Sequence, residues 1–190
     1  MRKPQIIQIS LRLSTIYQHN QEYQKARSGF NWCRDSAKKY LAEDDSLNSK
    51  AFYGLTLDSL GRFMYDTGHY NESIPLMKES IELAQEIAPG DLERIGVLKI
   101  NFSSILVETG EVTEALEILN TIIPEADSDL DSAAVQALVN QAIIYCSKNE
   151  NKKLGKECLL RALQGALQLD SPELVLLVKR HAAKFNIIIA

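Results

Sequence analysis

Apolar residues recur with helical spacing over almost the whole chain. Leu57, Leu60, Gly61 and Met64 fall at i, i+3, i+4 and i+7, the set that shares one face of an α-helix. Past Gly68, the residues Tyr70, Ile74, Met77 and Ile81 repeat the pattern, and Leu174, Leu177, Val178, His181 and Phe185 form another stripe near the end. Two-residue alternation is nowhere sustained, so the pattern predicts an all-α fold without sheet. Asp91 follows the Pro89-Gly90 stop and is predicted to cap a helix, and Ser171-Pro172 places a capping hydroxyl before a residue of fixed φ. Asp66-Thr67-Gly68 and Glu108-Thr109-Gly110 read as matching helix ends, each with a glycine free to take the left-handed conformation.

Those two glycines lie 42 residues apart, and alignment on them exposes a repeated helix–turn–helix unit. One copy reads Leu60-Gly61, Met64, Gly68, Tyr70, Ser73, Met77 and Ser80; the next reads Phe102-Ser103, Leu106, Gly110, Val112, Ala115, Leu119 and Ile122. An earlier copy is Leu13-Ser14, Tyr17, Gln21, Tyr23, Ala26, Phe30 and Cys33, and a weaker later one is Ala142, Tyr145, Asn149, Asn151, Leu154 and Cys158. Small residues (Ala26, Gly61, Ser73, Ala115) are expected where the helices of a hairpin cross, and large ones between neighbouring hairpins. The pattern is similar to the tetratricopeptide repeat, lengthened by one or two helical turns per unit. It predicts a superhelix of about four antiparallel hairpins (4–42, 50–88, 91–126 and 129–168) plus a terminal helix over 171–186, all one domain spanning 4–190.

Composition narrows the function. The 190 residues carry 21 basic and 25 acidic side chains, net charge −4, with no Lys/Arg run beyond two. Nucleic acid is excluded as an expected partner, since phosphate neutralisation needs clustered positive charge. The longest uncharged stretch, Ser132 to Ser147, is too short and too polar to span a bilayer, so the chain itself is not expected to insert in a membrane. Cys33, Cys146 and Cys158 are widely spaced and odd in number, which reads as reduced, buried small hydrophobes rather than a metal or redox site. The basic start, Met1-Arg2-Lys3-Pro4, has no apolar or amphipathic targeting stretch behind it.

Ile7-Gln8-Ile9-Ser10, Gly29-Phe30-Asn31-Trp32 and Tyr53-Gly54-Leu55-Thr56, followed by Gly61 and Gly68-His69-Tyr70, resemble the mitochondrial tetratricopeptide repeat protein 19 family. The resemblance runs from about Ile6 to Lys184. It implies a non-enzymatic factor at the mitochondrial inner membrane. Such a factor associates with respiratory complex III and helps clear proteolytic fragments of its Rieske iron–sulfur subunit. Members carry a presequence and a hydrophobic segment ahead of the repeats, and this chain corresponds to the repeat domain alone. A cytosolic cargo or chaperone adaptor with long repeats, like those of kinesin light chains, is the alternative; a heptad coiled coil ahead of the repeats would mark it.

Candidate chemistry is sparse, and neither catalytic residues nor a cofactor or metal is expected. His19, His69 and His181 are isolated: His69 reads as a turn residue and His181 as a hydrogen-bonded packing histidine. Asp127, Asp129 and Asp131 have the spacing of a calcium loop, but Ser132 stands where its glycine belongs and Leu138 where its glutamate belongs. They are expected to cap and charge the next helix start. Asn71 and Asn101 begin Asn-x-Ser triplets, which matter only in a secreted protein. Binding remains. A stacked array presents the first helix of each hairpin to an inner groove, placing there Gln8, Arg12 and Thr15; Asp58, Arg62 and Asp66; Asn101, Ser104 and Glu108; and Gln136, Asn140 and Ser147. Asn101 and Asn140 occupy equivalent positions, where an amide can donate and accept toward a bound peptide backbone. The same positions also fit ordinary solvated polar residues. The lining is too poor in Lys and Arg for a carboxylate clamp and better suits an extended or helical segment.

Overall fold

The computed structural model describes residues 3–147 and 151–189. Among them the fold is all-α, with helices paired antiparallel in chain order and no strand. The helices are α1 (Lys3–His19), α2 (Tyr23–Glu43), α3 (Leu47–Asp66), α4 (Tyr70–Ile87), α5 (Leu92–Thr109), α6 (Val112–Asn120), α7 (Ser132–Ser147), α8 (Lys152–Gln168) and α9 (Pro172–Lys184), with one 3-10 turn at Asp127–Asp129. The chain falls into two compact units, Met1–Leu98 and Lys99–Ala190, the division lying inside α5.

The ends of α1, α3, α5, α8 and α9 follow one rule. At Gly68, with φ of 77°, the His69 N–H donates to Met64 O at 2.7 Å and the Gly68 N–H to Tyr65 O at 3.0 Å, the paired closure that satisfies the last orphan carbonyls of a helix. Gly110, with φ of 90°, closes α5 in the same way through Leu106 O and Val107 O. Gln21 (φ 62°), Asp170 (φ 48°) and Asn186 (φ 54°) hold the same left-handed post without being glycine. The starts of α3, α5, α8 and α9 are capped by side chains: Ser46 and Ser49 form a reciprocal box at α3, and Asp91, Asn151 and Ser171 accept from backbone N–H groups three residues on.

In the first unit, α1 pairs with α2, α3 with α4, and α2 lies against α3. Ile7, Leu11, Phe30, Cys33, Leu57, Leu60, Phe63 and Met64 share one core, with the Phe30 and Phe63 rings 5.2 Å apart. The α3–α4 crossing is closed by a hydroxyl ladder. Ser73 Oγ donates to Gly61 O at 2.6 Å, and one heptad along, Ser80 Oγ donates to Gly54 O at 3.1 Å. Glycine lets the backbones approach, and the serines satisfy themselves on carbonyls already within the helix ladder. The α1–α2 crossing is tighter still: a Cβ on Gly29 would fall 2.2 Å from Ser14 Oγ.

In the second unit, α7 and α8 form the central hairpin and α9 packs on both. Their core joins Leu130, Val135, Leu138, Leu159, Ala162, Ala166 and Val178, with Ile187 and Ile189 of the tail folded against it. The tail thus packs onto the last hairpin, apart from Ile188, which is exposed; Ala190 lies outside the described residues. The third repeat has a short second helix. That helix, α6, ends at Asn120. Asn120 Oδ1 accepts from buried Gln141 Nε2 at 2.7 Å, and the following segment is tied down when Arg161 donates to Asp127 Oδ1 (2.8 Å) and Pro124 O (3.3 Å). Of the three aspartates expected to cap α7, Asp131 does so, accepting from the Ala134 N–H at 2.7 Å, whereas Asp127 is committed to Arg161. Asn149 of the weak fourth copy lies outside the described residues.

Candidate protein-binding surface

In the first unit, the two leading helices face a common depression of about 210 Å³. Thr15, Gln18 and His19 of α1 and Ser59, Arg62 and Asp66 of α3 line it, over the ring of Phe30. Gln18 Nε2 donates to Asp66 Oδ2 at 2.8 Å, bridging the helices. Gln8 and Arg12 are both exposed, and helical spacing puts them on the same face as Thr15 and His19. Arg62 is exposed and turns back along its own helix, donating to Asp58 Oδ2 at 2.9 Å.

Asp58 differs from the sequence expectation of a groove-facing polar residue. It is only 9% exposed, and its second oxygen, Oδ1, is buried without a hydrogen-bond partner. Burial pushes its carboxyl above the ordinary aspartate range, against the opposing pull of the Arg62 and Arg94 charges. A carboxylate held this way is half-satisfied, an energetically costly arrangement.

In the second unit, Asn140 Nδ2 reaches Ser104 Oγ at 3.5 Å, and Ser104 in turn donates to Ile100 O. Gln136 Nε2 donates to Ser132 O of its own helix at 3.3 Å, and Asn101 is half-buried on α5. The polar residues predicted for the first helices are therefore partly spent on local bonds. The Asn140–Ser104 pair, near the outer limit of hydrogen bonding, is the one a ligand amide could most readily replace.

A second depression, of about 250 Å³ and mostly apolar, lies between α1 and α2 and is lined by Ile6, Ile7, Trp32, Ser36, Lys39, Tyr40 and Glu43. Sequence reasoning noticed Trp32 only as part of a block. The available signal was spacing: two residues from Phe30, Trp32 falls on another face of α2, and it is 48% exposed where Phe30 is packed. The histidines and thiols show local roles. His69 Nδ1 lies 3.0 Å from Thr67 Oγ1, and His181 Nδ1 lies 3.0 Å from Leu177 O. Of the three cysteines expected to be buried, Cys33 is, whereas Cys146 and Cys158 are only half-buried; burial raises the Cys33 and Cys158 thiols to about 11. Among the described residues no group of three His, Cys, Asp or Glu could hold a metal ion, and no helix is long and apolar enough to cross a membrane.

Comparison of the sequence with known protein families and with curated proteins returns no match.

Proposed function

We propose that the chain is a non-enzymatic protein-binding repeat module whose leading helices receive a peptide segment. The observation that carries this reading is the α1–α3 depression. There, amide, hydroxyl, guanidinium and carboxylate groups surround an aromatic floor, a mixture suited to main-chain bonds plus one apolar anchor. The resemblance of the Gly29–Trp32 and Tyr53–Thr56 blocks supplies the proposed ligands: respiratory complex III and fragments of its Rieske subunit, met at the mitochondrial inner membrane. The test is capture by the purified chain of complex III and of Rieske N-terminal peptides, against unrelated mitochondrial peptides of matched length and charge. Preferential capture that falls when Arg62 and Gln18 are both replaced by alanine supports the reading. Equal capture of all peptides overturns it.

A further inference from the structure

The outward side of α1 carries a second, separate surface. Ile6, Ile9, Leu13 and Ile16 are 37%, 56%, 45% and 54% exposed, whereas Ile7, Leu11 and Ser14 of the same helix are buried. The exposed four are spaced by three, four and three residues. This is the a/d spacing of a helix seam, the pattern that receives the knobs of a second helix. At its N-terminal end the seam opens, through Ile6, into the apolar depression beneath Trp32. A seam continuous with a pocket fits a helix carrying one large anchoring side chain.

Charge selects the kind of helix. No Asp or Glu occurs between Lys3 and His19. The residues immediately ahead of the a positions, where interhelical ion pairs form, are Gln5 and Arg12, with His19 one heptad further on. Pairing with a second copy of α1 would give Arg12 no acidic partner in either orientation. In a parallel pair it would meet Tyr17, and in an antiparallel pair another Arg12, His19 or Gln5. A bilayer surface fits less well, because the seam is narrow and the Trp32 pocket is concave.

We propose that this face docks an amphipathic helix of a partner protein, with apolar residues at three- and four-residue spacing and Glu or Asp beside them. The proposal rests on the reading of the chain as a protein-binding module but uses a different face of α1, which borders the side facing the α1–α3 depression along Arg12 and His19.

The probe is a 21-residue peptide of three heptads with Leu at a and d and Glu at e and g, tested beside the same peptide with Lys for Glu. Trp32 is the sole tryptophan of the sequence and reports directly on the pocket. The Glu peptide is expected to shift Trp32 emission to the blue and to bind at least tenfold more tightly than the Lys peptide. Ile9→Glu, at an exposed position that leaves the core intact, is expected to weaken binding at least tenfold. Arg12→Glu is expected to reverse the preference between the two peptides, an outcome that a merely destabilised helix would not produce. Equal affinity for both peptides overturns the proposal, as does binding without change in Trp32 emission. It also falls if the seam is instead occupied by anionic vesicles or by a second copy, seen as vesicle co-sedimentation or dimerisation abolished by Ile9→Glu. Failure here with preferential capture of Rieske peptides intact leaves the earlier reading standing; the reverse pair of results removes that reading and keeps this surface.

Discussion

Gly54 and Gly61 occupy equivalent places on α3, one heptad apart, yet replacing each with alanine is expected to move stability in opposite directions. Alanine is favoured over glycine in a helix interior by about 1 kcal/mol, so both substitutions begin with the same gain. At Gly54 the added methyl would lie 3.7 and 3.8 Å from Leu83 Cβ and Cδ1, ordinary contact distances. The gain survives, and Gly54→Ala is expected to stabilise by about 0.5–1 kcal/mol. At Gly61 the methyl would fall 2.7 Å from Met77 Sδ and 3.0 Å from its Cγ, and Met77 is fully buried. Overpacking of that kind costs about 1–3 kcal/mol, so Gly61→Ala is expected to lose about 1 kcal/mol net. Met77→Ala alone costs about 2–5 kcal/mol but is expected to cost less once residue 61 is alanine, because the new methyl partly fills the cavity. Urea unfolding followed by Trp32 emission reads the first unit, and a double-mutant cycle isolates the coupling. The reasoning is refuted if the two glycine variants are stabilised alike, or if the cycle shows no coupling. Gly61→Trp is the extreme case and is expected to cost several kcal/mol, beyond the usual overpacking range of about 1–3.

Other expectations follow from single sites. The folded state raises the Asp58 carboxyl and so binds its proton more tightly than the unfolded chain; stability therefore falls as pH rises from the ordinary carboxylate range through the raised value. Asp58→Asn removes that slope, and urea midpoints of variant and parent should diverge in the variant's favour as pH rises above the ordinary carboxylate range; parallel curves would contradict the burial argument. Gln21 holds φ at 62°, and a left-handed conformation costs an L-residue roughly 1–2 kcal/mol, so Gln21→Gly should raise the unfolding free energy by up to about 1 kcal/mol. With thiols raised to about 11, Cys33 and Cys158 should react with a disulfide reagent at pH 8 far more slowly in the folded protein than in urea; equal rates would place them at the surface.

Much of the helical order was legible in the sequence because it is local. The glycines at 68 and 110 mark helix ends through their own backbone conformation, and the cap residues at 91 and 171 act within three positions. The placement of small residues at crossings was legible too, since Gly61 and Ser73 recur in register with their equivalents. What escaped notice depends on distant partners. Pro124 lacks the N–H that would bond Asn120 O and so marks the end of α6 locally; what the sequence does not show is where the following segment goes, because that depends on Gln141 and on Arg161 reaching back to Asp127, 34 residues away. Asp58 looked like a groove residue by spacing alone, and its burial comes from what α3 is packed among. The blocks that carried the family resemblance also have packing reasons. Gly29 makes room for Ser14, Phe30 meets Phe63, and Gly54 accepts from Ser80. Trp32 is the member of those blocks that packing leaves half open.

The paired serine contacts between α3 and α4 act as a gauge of length. Because both hydroxyls must meet their carbonyls at once, losing one residue between Ser73 and Ser80 would put the two out of phase, whereas losing one beyond Ser80 would disturb neither. Insertions and deletions in this hairpin are therefore expected to be tolerated at its open end, around Ile87 and the turn that follows, and not at the closed end near Gly68.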